Sequence, residues 1–201
     1  ALRERPYQIL VPVSNPKSGR LLMKYASMIA RARDAEILVL SVATVPEQTP
    51  LSEATKFVEE RKEAIQSALE VAPDDIPVHS TIRYGHDVSR AIVSAVKEHE
   101  SDLAILGCDL ELDKEGFSLG SVLDPIIEKS LCDSMVIKPS RFEELKRGSK
   151  ILCPIARGPH SKEVVEVAKI LSEELKGEIT LLHVLREDET EKEIRDYIES
   201  L

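Results

Sequence analysis

The chain has 201 residues, 42% of them hydrophobic and 31% charged, with a formal net charge of −9 and no Trp. That length suits one domain of common size plus a remainder, and the composition is that of a globular protein rather than a disordered or fibrous one. The acidic balance excludes a nucleic-acid surface, since nothing basic would neutralise phosphates, and no apolar run approaches the roughly 20 residues that span a bilayer, so the chain is expected to be soluble.

Aromatic residues make up only 3% of the chain, so the core must be built from Val, Ile, Leu and Ala. The three cysteines, Cys108, Cys132 and Cys153, show no C-x-x-C spacing. They are expected to be reduced cytoplasmic thiols, neither zinc ligands nor a disulfide framework. The opening Ala1–Pro6 lacks the apolar core of a signal peptide, and a start on Ala rather than Met is expected of a segment from a longer polypeptide or of a chain whose Met has been removed by processing.

Gln8–Val13 (QILVPV) is a short apolar run and reads as a buried strand. Ser14-Asn15-Pro16 is turn chemistry, after which Ser18 is the expected cap of a helix reaching about Arg33. Ile37–Val45 is a second buried strand, broken by the Pro46–Pro50 stretch, and a helix is expected from about Ser52 to Val71. Val78–Tyr84 alternates like a strand near a sheet edge. Asp87 is the expected N-cap of a third helix carrying Ile92, Val93 and Val96. Leu103–Cys108 is a fourth strand, Val122–Leu131 a fourth helix and Ser134–Lys138 a fifth strand. This alternation predicts an α/β fold, a doubly wound and mostly parallel five-stranded sheet with helices on both faces.

The pattern then restarts. Ile9–Val13 (ILVPV) is echoed by Ile151–Ile155 (ILCPI), and Glu36–Val42 by Glu178–Val184, each at the same offset along the chain. An unchanged offset between two separate strands indicates an internal duplication. The expected organisation is a complete unit over 1–140, a charged linker over 141–149 and the first half of a second unit over 150–201. Half a doubly wound unit has too little core to stand alone.

Leu103–Val122 holds the most informative motif. An apolar strand ends in Gly107, a polar loop follows, and Gly120-Ser121 opens a helical pattern. Glycines let a backbone approach an anion, and N–H groups at a helix start face it. Yet Asp109, Glu111, Asp113 and Glu115 stand against Lys114 alone, a net −3 that repels phosphate.

These residues resemble the universal stress protein family. The likeness is carried by ILVPV at Ile9–Val13, AEILVLSV at Ala35–Val42, Gly85 before the third helix, and the loop running to LCDSMVIKP. The family's loop has the form G-x2-G-x9-G-[ST], and Gly107, position 110, Gly120 and Ser121 stand at that spacing. The resemblance implies strand order 3-2-1-4-5 and an adenine-nucleotide pocket for AMP or ATP. Val13, Ser14 and Val42 would lie on the base and ribose side, Gly107 at the loop, and Gly120, Ser121 and Val122 on the phosphate side. The departures are Leu110 for the second glycine, Ser14 for the acid that ends the first strand, and acids for the loop's usual basic residues. VPVSNP (Val11–Pro16), VPEQTPLSEA (Val45–Ala54) and YGHDVSRAI (Tyr84–Ile92) further resemble the tandem stress-protein domains of membrane transporters, above all amino-acid permeases, with related tails on cation antiporters and cation–chloride cotransporters. That implies a cytoplasmic regulatory domain joined to the transmembrane part of the same protein; the alternative is a free-standing stress protein that binds ATP. In the family the fifth strand pairs with that of a second domain, which implies homodimerisation through residues 134–138.

Other chemistries fit less well. Asp109, Glu111 and Asp113 imitate the start of a calcium loop, but Lys114 and Gly120 stand where its glycine and closing Glu belong, so no metal is expected. His86-Asp87 has no nucleophile placed beside it by any motif, so the chain is not expected to be an enzyme. Cys108 could be a reactive thiol beside the loop, against the commoner role of buried packing.

Overall fold

The computed structural model describes residues 5–47, 58–108, 119–138, 146–187 and 189–201. It divides into two compact units, Ala1–Arg141 and Phe142–Leu201. Unit 1 runs β1 (Tyr7–Pro12), α1 (Pro16–Arg33), β2 (Ala35–Thr44), α2 (Glu59–Leu69), β3 (Val78–Gly85), α3 (Val88–Glu98), β4 (Leu103–Gly107), α4 (Leu123–Lys129) and β5 (Asp133–Ile137). Its strands form one parallel sheet in the order β3-β2-β1-β4-β5, the order expected from the sequence.

The central strands are apolar at nearly every position because both of their faces are covered. One face carries Leu10, Leu38, Leu40, Ala104 and Leu106 against Ile92, Ala95 and Val96 of α3 and Ile126 of α4. On the other side α1 lies against β1 and β2 and buries Leu22, Met23, Ala26 and Ile29 completely or nearly so. Each such Leu or Ile contributes about 1.5–3 kcal/mol relative to an exposed one. α1 and α2 also pack on each other. A Cβ added at Gly19 would stand 2.8 Å from the Ala64 carbonyl oxygen, so glycine is what permits this approach.

Two helix ends differ from expectation. Asn15, not Ser18, caps α1: its backbone is extended (φ −149°) and its side-chain oxygen accepts the Ser18 N–H at 2.9 Å. Pro16 explains the shift, since its fixed φ and missing N–H suit the first helical position and leave the cap to the residue before it. α4 ends at Lys129 because Ser130 turns extended, which leaves Leu131 81% exposed. The expected start of the second helix at Ser52, with Ala54 and Phe57, lies outside the described residues; Val58 precedes the helix that is described. Asp87 caps α3 as expected, accepting the Arg90 N–H at 3.0 Å.

Unit 2 comprises β6 (Lys150–Pro154), α5 (Ser161–Leu175), β7 (Glu178–Leu182) and α6 (Glu191–Glu199). β6 and β7 pair in parallel with Ile151 opposite Ile179, just as their equivalents Ile9 and Ile37 stand opposite each other in unit 1. The bond from Val13 N–H to the Leu40 carbonyl recurs as Ile155 N–H to Leu182, both 2.8 Å. Residues 146–149 of the expected linker belong to this unit: Gly148 N–H donates to the Leu175 carbonyl at 2.7 Å. One face of the β6–β7 sheet is packed, with Cys153 and Ile155 against Val165 and Ala168. The opposite face exposes Leu152 (61%), Leu182 (44%) and Val184 (77%), whereas their unit 1 counterparts Leu10, Leu40 and Val42 are buried beneath α3 and α4.

Candidate functional site

β1 and β4 are adjacent although the chain leaves them towards opposite edges of the sheet, which is the arrangement that opens a crevice at the C-terminal strand ends. The β1–β4 ladder runs through Ile9–Leu103 and Leu10–Ala104. Beyond it Pro12 and Val13 on one side and Leu106 and Gly107 on the other bound a cavity of about 150 Å³. A cavity of about this volume admits one aromatic ring. β2 extends past Leu40, its last partner on β1, through Ser41–Thr44. Val42 and Thr44 reach the cavity from that extension, and Leu22, Ile92, Leu123 and Ile126 complete apolar walls from the helices.

Five of the seven expected site residues meet there: Val13, Ser14, Val42, Gly107 and Val122. Gly120 and Ser121 stand outside the lining. Val13 offers its side chain rather than its backbone, since its N–H donates to Leu40 and its carbonyl accepts from the Ser41 hydroxyl at 2.8 Å. Ser14 is exposed, with its hydroxyl accepting from the Asn15 amide at 3.3 Å. Gly107 has room for a Cβ only by touching Leu22 at 3.4 Å.

Gly120 adopts φ +98°, the left-handed conformation that glycine tolerates best. Its carbonyl accepts the Asp124 N–H at 3.1 Å, and the Asp124 carboxylate in turn accepts the Leu119 N–H at 2.9 Å. A carboxylate therefore already serves the start of α4, a helix of 7 residues, and adds negative charge where the sequence points to phosphate. The acidic positions Asp109–Glu115, Leu110 and the calcium-like spacing lie outside the described residues.

Sequence reasoning missed Arg61. It sits in the first turn of α2, amid Glu59, Glu60 and Lys62, and reads in the sequence as one more charge on a solvated face. In the fold its guanidinium reaches back across the mouth of the cavity, where Nη1 donates to the Ser14 carbonyl at 2.9 Å. Among the described lining residues it is the only charged side chain.

The other reactive candidates have structural partners. His86 Nδ1 lies 2.7 Å from the Val45 carbonyl and ties the end of β2 to the turn before α3. The Arg90 N–H and Ser89 hydroxyl hold the Asp87 carboxyl below the usual carboxylate range. Cys108 is 2% exposed. Burial and the neighbouring Asp133 push the Cys132 thiol up to about 11, and burial raises Cys153 as well. Thiols so shifted are poor nucleophiles near neutral pH.

Residues 7–138 match the model of the Universal stress protein family. The chain belongs to the universal stress protein family. A universal stress protein from Archaeoglobus fulgidus superposes over 96% of this chain and 71% of its own, with a TM-score of 0.68 at 19% identity. The universal stress protein from Archaeoglobus fulgidus in complex with dAMP covers 66% of this chain and 98% of its own, with a TM-score of 0.53 at 18% identity. These likenesses are of fold. In sequence, the Na(+)/H(+) antiporter NhaS5 of Synechocystis is 25% identical over 194 residues, which is 95% of this chain. The chain spans 28% of the length of that antiporter. Among the described residues no helix is long and apolar enough to cross a membrane. In this universal stress protein domain β1 leads into Ser14, and Arg61 occupies the neighbouring space.

Proposed function

We propose that this chain is a cytoplasmic regulatory domain of a membrane transporter, and that it binds an adenine nucleotide in the crevice between β1 and β4. The observation that supports ligand binding is the cavity itself: apolar, of about 150 Å³, at the topological switch point, and flanked by the extension of β2. The family relative in complex with dAMP makes an adenine ring the natural occupant. The transporter reading rests on the likeness to the Na(+)/H(+) antiporter, which runs almost the whole length of this chain. The permease-like motifs at Val11–Pro16, Val45–Ala54 and Tyr84–Ile92 point to the same class of host, a secondary transporter. Unit 2 is read as part of a second copy of the same domain. No catalysis is proposed: the described cavity lining holds no acid, His or Cys.

The acids of the 109–115 loop and Asp124 favour a ligand of low charge, so AMP should bind more tightly than ATP. Calorimetry with AMP, ADP and ATP, each with and without Mg²⁺, tests this. Flat titrations at millimolar nucleotide would leave the domain as a scaffold alone.

A free-standing universal stress protein is the second reading, supported by the likeness to the Archaeoglobus protein over both units. Fractionation of cells producing the full-length polypeptide separates the two: a host transporter puts the chain in the membrane fraction.

β5 is an edge strand, paired with β4 on one side. Homodimerisation through residues 134–138 would cover its other side, and light scattering of the isolated chain should give a dimer mass; a monomer at high concentration counts against it.

A further inference from the structure

We propose that Arg61 selects the charge of the ligand: it supplies the cation that pairs with the phosphate of a nucleoside monophosphate held in the β1/β4 crevice. This rests on the nucleotide reading above and goes beyond it by assigning the anion partner to α2 rather than to the loop before α4.

Charge decides where a phosphate can sit. At the start of α4 it would meet the Asp124 carboxylate, which already accepts the Leu119 N–H. Arg61, by contrast, is the only charged side chain among the described lining residues of the crevice. Its guanidinium carries five N–H donors in a rigid fork, the geometry that matches phosphate. One edge is anchored by the bond from Nη1 to the Ser14 carbonyl. A carbonyl orients the group without neutralising it. Glu60 stands 3.7 Å from Nη2 on a side chain that is 88% exposed, so water screens that pair. The Arg61 side chain is itself 25% exposed, close enough to the protein surface to meet an incoming anion and covered enough to be held in place.

Ser14 is the second half of the device. An Asp at that position would put a carboxylate beside the guanidinium and cancel its charge. The serine leaves the cation available, so Ser14 and Arg61 act together. The crevice thereby offers a donor to an anion.

The test is calorimetry of the whole chain with adenosine and AMP at low and high salt, on the wild type, Arg61→Gln and Ser14→Asp, with thermal midpoints as a folding control. A charge-assisted hydrogen bond to phosphate predicts AMP binding about tenfold tighter than adenosine at low salt. The preference should shrink as salt rises. Arg61→Gln should bring the ratio close to one by weakening AMP more than adenosine, and Ser14→Asp should do the same. If Arg61→Gln does not fold, Ser14→Asp carries the test. Three results overturn the proposal: equal affinities in the wild type, an equal loss for both ligands in Arg61→Gln, or a gain for both in Ser14→Asp, the sign of a ribose acceptor. Binding of neither ligand by a folded wild type overturns the nucleotide reading as well.

Discussion

Glu189 shows how one side chain sets a pH limit on unit 2. Its carboxylate accepts from His183 Nε2 at 2.9 Å and from the Arg186 N–H at 3.1 Å, and both side chains of the pair are nearly buried. The His183 bond, followed by the Arg186 N–H, holds the Glu189 carboxyl below the usual carboxylate range. A group with a depressed folded value contributes stability that is present above its unfolded value of about 4.3 and is lost as pH falls through the folded value. Amide exchange in unit 2 should therefore accelerate as pH drops below about 4, after correction for the intrinsic rate. Glu189→Gln should flatten that acid limb; an unchanged limb would show that the pair contributes nothing. The unit 1 equivalent of His183 is Ser41, which makes the corresponding bond to Val13. The sequence shows His183 and Glu189 as scattered polar residues, because only the fold of the segment between them brings them together.

At the scale of elements, the apolar runs were legible because central parallel strands are covered on both faces and so read as unbroken Val, Ile and Leu. Strand order followed from the family motif rather than from the runs themselves. Helix ends were less legible. Ser18 and Asn15 are both capping residues, and choosing between them requires weighing Pro16 as the first helical residue. The crevice was half legible: Val13, Val42 and Gly107 lie on strand ends that pattern identifies, whereas Arg61 enters from a helix whose position over the mouth is a matter of packing. That packing depends on Gly19, where α1 meets the Ala64 carbonyl of α2. Gly19→Ala gains helix propensity but adds a methyl where the backbone leaves no room. It should cost about 1–3 kcal/mol in urea unfolding. A neutral or stabilising result would mean that α2 shifts freely, and with it Arg61.

At the scale of the molecule, the constant sequence offset from β1 and β2 to β6 and β7 recurs in strand register and hydrogen bonding. The two units nevertheless differ in what covers them. Leu152 and Leu182 face outward where Leu10 and Leu40 lie beneath two helices. Exposed apolar patches of this kind mark interaction surfaces. Replacing both with Lys should change stability by no more than about 0.5 kcal/mol each and should reduce binding of a hydrophobic dye. A loss of about 3 kcal/mol or more would show that the face is packed in solution.

The ligand reading of unit 1 depends on an adenine nucleotide occupying the β1/β4 crevice, and a methyl NMR titration of the intact chain with AMP asks this of the crevice itself. Occupancy should give saturable shifts at Val13, Val42 and Val122, smaller effects at Leu22, and none at Val165 or Leu182 of unit 2. An unchanged spectrum at millimolar AMP, or shifts confined to unit 2, would contradict it.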